Sequence, residues 1–224
     1  MTMKAESSPI PSDPIASASV VAHEFNNILG IIIANLDLLA DEYAASPGAS
    51  HLIDEAMTAA TRGSTLARSL LHAAPAPTGQ AGAPAQSAGT PEAAGGELVL
   101  VVDDNVPLRR AVVRELASLG YRTLEAGDGP AALMILNSEP VDLLFTDVVM
   151  PGGMSGFDLA RLVLARWPAM KALITSAFPE LEPTSDSVTA GKLRRLTKPY
   201  RKDDLAAALR QVLTACPAAA SPHP

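Results

Sequence analysis

The chain has 224 residues, 48% hydrophobic but only 4% aromatic, with a formal net charge of −7. That length carries one or two domains, and their core has to be built from Ala, Leu, Val and Ile. The acidic balance argues against a general nucleic-acid binder, and the single cysteine, Cys216, excludes an internal disulfide.

The N-terminal stretch MTMKAESSPIPSDP has no apolar signal core, and residues 1–13 read as disordered. The first block, 14–74, reads as a helical hairpin. Asp13-Pro14 is a start signal: a capping carboxylate followed by proline in the first turn. Val21, Phe25, Ile28, Ile32, Asn35, Leu39 and Glu42 follow a 4-3 spacing, and Leu29, Leu36 and Tyr43 widen it into a broad apolar face. The apolar run Ile28 to Leu36 is cut by Asn35 and is too short to span a membrane. A soluble cytoplasmic protein is therefore expected. SPGAS at 46–50 breaks the helix, and a second helix is expected from about His51 to His72. Two helices make a poor core for so many residues, so the hairpin is expected to pair with a second copy as a dimeric four-helix bundle.

His23 lies two residues from both Val21 and Phe25, and so points away from that seam. Asn27 shares its face, which continues through Gly30, Ala34, Asp37 and Asp41, and His23 is expected to be exposed. An imidazole on a rigid helix can act as a nucleophile, with Glu24 orienting it or accepting its proton. An ordinary surface histidine is the alternative.

Residues 75–96 are dominated by Pro, Gly, Ala, Ser and Thr without periodicity and read as a flexible linker. From 97 to 215 strand and helix patterns alternate. ELVLVVDD is a buried strand ending in Asp103 and Asp104; VDLLFTD ends in Asp147; KALITSA ends near Ser176; RRLTKPY carries a short strand before Lys198. This alternation implies a parallel sheet with helices on both faces. In the strand order 2-1-3-4-5, ligands sit beyond the strand C-termini where strands one and three are neighbours. Three carboxylates gathered there repel unless a cation joins them, and oxygen ligands favour Mg²⁺. With Lys198 and Ser176 on the same rim, the set suits a phosphoryl group, and Asp147 is the attacking carboxylate. The tail 216–224 reads as disordered.

Residues 97–215 resemble a response-regulator receiver domain, a flavodoxin-like (βα)5 fold. The resemblance implies that Asp147 in FTDVVMPGGMSG is the phospho-acceptor. It also implies that Asp103 and Asp104 hold Mg²⁺ with the Val149 carbonyl, and that Ser176 and Lys198 contact the phosphoryl group. Residues 19–74 resemble the dimerisation and histidine-phosphotransfer hairpin of sensor histidine kinases. HEFNN is similar to the H-box, and AATRGSTLARSLL to the second helix of that hairpin. By that resemblance His23 is the phosphohistidine, Glu24 its acid/base partner, and Asn27 stands where a residue positions water for dephosphorylation.

The chain departs from these families too. Between Pro75 and Gly96 there is linker and no nucleotide-binding motif, so the chain resembles a hybrid histidine kinase without its ATP-binding domain, and no direct ATP binding is expected. Arg195 stands where receivers usually carry a switch aromatic, and 179–191 is a weak helix former. Lys192, Arg194, Arg195, Lys198, Arg201 and Lys202 form a basic cluster. It reads either as a solvated rim or as a docking surface for an acidic partner, for which the hairpin, with eight acids and three bases over 1–74, is a candidate.

The expected function is a two-component phosphorelay protein passing a phosphoryl group through His23 and Asp147. It would be supplied by a separate sensor kinase and serve other regulators, with no nucleic acid or membrane as partner. The alternatives are a non-enzymatic module that pairs with a kinase hairpin and inhibits it, or a phosphate sink.

Overall fold

The computed structural model describes residues 14–71, 96–150, 153–177 and 192–214. The expectations for residues 1–13, the linker, 179–191 and the tail fall on residues outside that set.

Two antiparallel helices open the chain, α1 (Pro14–Glu42) and α2 (Pro47–Leu71). The turn between them is tighter than SPGAS suggested. Tyr43 to Ala45 make the turn, and Pro47 starts α2 rather than ending α1. Proline fits the first helical position because its missing N–H has no intrahelical partner there, and the Ser46 carbonyl accepts from Ser50 N at 3.0 Å. The helices meet through Leu29 and Ile33 of α1 and Ile53, Met57 and Ala60 of α2. Ser64 Oγ donates to the buried Asn26 Oδ1 at 3.3 Å across the same seam. Of the expected apolar face, Leu29 and Leu36 fall in this seam, while Val21, Phe25, Ile28, Ile32 and Leu39 stay exposed on the chain's own surface, because α1 is apolar on two faces and α2 covers one.

The second block is a five-stranded parallel sheet with order β2-β1-β3-β4-β5, as the alternation predicted. Its strands are β1 (Leu98–Val102), β2 (Arg122–Ala126), β3 (Leu143–Asp147), β4 (Lys171–Ser176) and β5 (Leu193–Thr197). Its helices are α3 (Val106–Ser118), α4 (Gly129–Ser138), α5 (Gly156–Arg166) and α6 (Lys202–Thr214). β1, β3 and nearly all of β4 are buried, the pattern of strands covered on both faces. One face packs under α4 and α5 through Leu100, Leu144, Leu159, Val163 and Ile174. The other packs under α3 and α6 through Val101, Leu116, Phe145, Leu173 and Leu209.

Local chemistry places the strand-to-helix turns. Asn105 caps α3 by accepting from Leu108 N at 3.0 Å, and Asp128 caps α4 by accepting from Ala131 N at 2.8 Å. Ser155 and Asp158 form a reciprocal capping box at α5. Gly156 is required there: a Cβ on it would meet the Asp147 carbonyl oxygen at 1.8 Å, so β3 and α5 can approach only at a glycine.

The hairpin does not stand apart from the sheet. α1 lies along α3, with Gly30 against Leu108 so that a Cβ would sit 3.4 Å from Leu108 Cδ1. Ile31 packs against the cluster under α3 and α6.

Candidate phosphoryl-transfer site

The rim at the C-terminal ends of β1, β3, β4 and β5 gathers the predicted residues. Asp147 ends β3 and is almost fully buried, as are Asp103, just past β1, and Lys198, just past β5. Lys198 Nζ lies 2.9 Å from Asp147 Oδ2 and 3.5 Å from Asp103 Oδ2. Asp103 Oδ1 accepts from Asn105 N at 2.8 Å, so the turn into α3 fixes that carboxylate. Ser176, buried, ends β4 on the same rim, while Asp104 is exposed beside Asp103.

Two buried carboxylates here share one ammonium. Burial pushes the Asp103 carboxyl up, Lys198 opposes this, and neighbouring Asp147 adds to it. Burial works against the Lys198 charge, yet Asp147 and Asp103 outweigh it and hold the ammonium above its ordinary range. Asp147 Oδ1 is buried without a hydrogen-bond partner. The excess negative charge and the orphaned oxygen suit a hard divalent cation with oxygen ligands. Among the described residues no three His, Cys, Asp or Glu side chains converge as a ligand set.

The hairpin completes the site from above. His23 Nε2 stands 3.7 Å from Asp147 Oδ2 within the same chain. The expectation of an exposed His23 is corrected: its side chain is 17% accessible because α1 lies over the rim. Asn27, buried, links the two halves. Its Nδ2 is 3.2 Å from His23 Nε2, and its Oδ1 accepts from Lys198 Nζ at 3.5 Å. With Asn27 Oδ1 turned to Lys198, the amide nitrogen faces Nε2, an arrangement that suits a ring carrying its proton on Nδ1. His23 Nδ1 is itself buried without a partner, and Glu24, the expected acid/base residue, is exposed on the next position of the helix.

The His23 face continues as an ionic seam. The Lys202 backbone N–H donates to Asp37 Oδ2 at 2.8 Å, Lys202 Nζ pairs with Asp41, and Arg201 lies 3.7 Å from Asp37. Arg114 of α3 donates to Asn35 Oδ1 at 3.1 Å. Three of the six basic-cluster residues, Lys198, Arg201 and Lys202, therefore meet the hairpin, where a solvated rim was the other reading. Glu115 was missed by sequence reasoning: it is fully buried on α3, facing α1. The available signal was its spacing, since Ala111, Val112, Glu115 and Leu116 fall on one helical stripe.

A profile of the response regulator receiver domain matches residues 99–210. The response regulator receiver protein CpdR of Brucella abortus is 32% identical over 117 residues, covering 52% of this chain and 97% of that protein. Sporulation initiation phosphotransferase F of Bacillus subtilis is 29% identical over 117 residues, 52% and 94% of the two chains. Chemotaxis protein CheY of Pseudomonas aeruginosa is 37% identical over 105 residues, 46% and 84%. A solved structure of the response regulator TrrA from Thermotoga maritima, in complex with Mg²⁺-BeF, is 27% identical, covers 52% of this chain and 99% of that one, and has a TM-score of 0.47.

Proposed function

Since the chain belongs through residues 99–210 to the response-regulator receiver family of two-component systems, whose members accept a phosphoryl group from a kinase, we propose that it is a phosphorelay protein exchanging that group between His23 and Asp147. The observation that carries this reading is the 3.7 Å approach of His23 Nε2 to Asp147 Oδ2, with Lys198 bonded to the same carboxylate. The approach needs no other chain, and a separate sensor kinase supplies the phosphoryl group.

The transfer balances without an added reactant. The Nε2–P bond of phosphorylated His23 breaks as an Asp147 oxygen bonds to phosphorus, and the electron pair returns to Nε2, which Asn27 Nδ2 then meets. The ring proton stays on Nδ1, so no proton need move. An in-line path requires the imidazole nitrogen, phosphorus and carboxylate oxygen to be nearly collinear. The close pairing of His23 and Asp147 opens slightly to admit the phosphorus. Lys198 and the Ser176 hydroxyl meet the phosphoryl oxygens, and Glu24, exposed beside His23, is the acid/base partner when a kinase phosphorylates the imidazole. Asp103, Asp104, Asp147 and the Val149 carbonyl would hold Mg²⁺, which when bound adds positive charge against the phosphoryl oxygens.

The exposed stripe Val21, Phe25, Ile28, Ile32 and Leu39 supports a homodimer through the hairpin. The same stripe supports a second reading, in which this hairpin pairs with a kinase hairpin and inhibits or scaffolds it. A phosphate sink, with Asn27 aiding hydrolysis, is a variant of the first. Incubation of the chain with candidate kinases and labelled ATP separates them. Transfer that vanishes in His23→Ala supports the relay, and kinase inhibition that survives His23→Ala supports the binding module.

A further inference from the structure

Under α1, beside the phosphoryl site, is a small cavity lined by Gly30 and Ala34 from the hairpin and by Leu108, Val112, Glu115, Lys198, Pro199 and Tyr200 from the receiver. Both Glu115 carboxylate oxygens and the Tyr200 hydroxyl are buried there without hydrogen-bond partners. An unpaired carboxylate in such a place is costly, whereas the neutral acid is tolerated. The groups that face Glu115 come from every element around it: Asp37 from α1, Lys202 from α6, Arg114 from its own helix, and the Tyr200 hydroxyl and Lys198 ammonium from the turn after β5. Lys202 and Arg114 oppose the effect of burial without outweighing it: the Lys202 ammonium is paired with Asp41, and Arg114 donates to Asn35.

We propose that Glu115 makes docking of the hairpin on the receiver proton-linked: the docked chain, with His23 over Asp147, holds Glu115 as the neutral acid, and α1 lifts when that proton leaves. This regulates the His23–Asp147 site and so rests on the phosphorelay reading, but docking itself needs no phosphoryl group.

Geometry gives the direction. Two residues of α1 close the cavity, so lifting α1 hydrates Glu115 and returns it to the ordinary carboxylate range. In the docked state burial, reinforced by Asp37, pushes Glu115 up to about 8. The docked form thus binds a proton that the lifted form releases. Docking is strongest below the ordinary range, weakens as pH rises through the interval up to about 8, and is weakest above it. One proton changes the docking constant by at most about tenfold per pH unit. Opening at the alkaline end uncovers Asp147 for an incoming donor, and acid closes His23 onto it.

The test uses the full chain with Cys216→Ser, carrying a donor and an acceptor dye at Ala59→Cys and Glu139→Cys, diluted into excess unlabelled chain. Energy transfer between them reads docking from pH 5 to 9. The proposal expects the docking constant to fall with rising pH by up to about tenfold per unit, and the fall to be lost in Glu115→Gln. The same pH dependence in both chains overturns it. In case the dyed chain stays closed throughout, carbon-13 resonance of the Glu115 carboxyl is the second readout. Titration near neutral or above in the parent chain, returning to the ordinary range in Gly30→Trp, where α1 is wedged off Leu108, supports the proposal; titration in the ordinary range in the parent overturns it. Neither readout involves phosphoryl transfer, so absence of His23 labelling by any kinase defeats the relay while leaving this titration intact.

Discussion

The receiver buries two full cores, one on each face of its sheet, and nearly every apolar side chain of β1, β3 and β4 is inside. The hairpin buries one short seam, Leu29 and Ile33 against Ile53, Met57 and Ala60. It then uses a second face of α1 to dock on α3 and the turn before α6, and leaves a third, the Val21–Leu39 stripe, exposed. The receiver thus has a core of its own on each face of its sheet, and the hairpin rests more of its buried surface on what it touches. Substitutions in the two regions should therefore fail in different ways.

The largest contrast is in assembly. Ile32→Asp places a charge in the exposed stripe. If that stripe is the dimer seam, the charge is desolvated on association, and sedimentation at micromolar concentration should show a monomer with the receiver still folded. A dimer that survives the change would mean the stripe is not the interface, and the contrast would lose one of its three faces.

Core truncation comes next. Leu144→Ala in the receiver should cost about 2–5 kcal/mol, read as a shift in denaturant midpoint independent of protein concentration. Leu39→Ala on the stripe should cost less, and its effect should shrink as the protein is diluted into the monomeric range, because association contributes part of the hairpin's stability. Equal, concentration-independent losses would erase the distinction. Gly156→Ala should cost at least as much as Leu144→Ala, about 3 kcal/mol or more, because its methyl group would meet the Asp147 backbone carbonyl and only a backbone shift relieves that. It should also slow labelling of Asp147 by displacing the acceptor strand.

How far the sequence foretold each region follows the same division. The receiver was legible because its chemistry and fold repeat one message: five short apolar strands, with the acids after β1 and at the end of β3 and the Ser176 and Lys198 of β4 and β5 falling on one rim. Asp103, Asp147, Ser176 and Lys198 fell on the expected strand ends. The hairpin's helices were legible, and its faces were not. The 4-3 spacing of Val21, Phe25, Ile28 and Ile32 is real, but periodicity cannot say which of two apolar faces meets the partner helix. The position of His23 depended on that choice, and so did its exposure. Glu115 escaped because a charged residue between Val112 and Leu116 reads as solvated until α1 is laid across it.

The smallest expected effect is at the ionic seam. Asp41 is more than half exposed and pairs with Lys202 across the two blocks. Asp41→Asn should weaken docking by at most about 1 kcal/mol, less at high salt, in the docking assay by energy transfer. A larger loss, unaffected by salt, would place the Asp41 contribution in packing rather than charge.

The central claim is that His23 and Asp147 exchange one phosphoryl group. The direct measurement is the position of label after a phosphodonor kinase acts on the parent chain, His23→Ala and Asp147→Ala, told apart by the acid lability of phosphohistidine and the alkali lability of acyl phosphate. The account predicts that each substitution moves the label: Asp147→Ala retains it on His23 if flow runs from histidine to aspartate, and His23→Ala retains it on Asp147 if flow runs the other way. Labelling that is unchanged in both variants would show the two residues to be uncoupled and would contradict the relay.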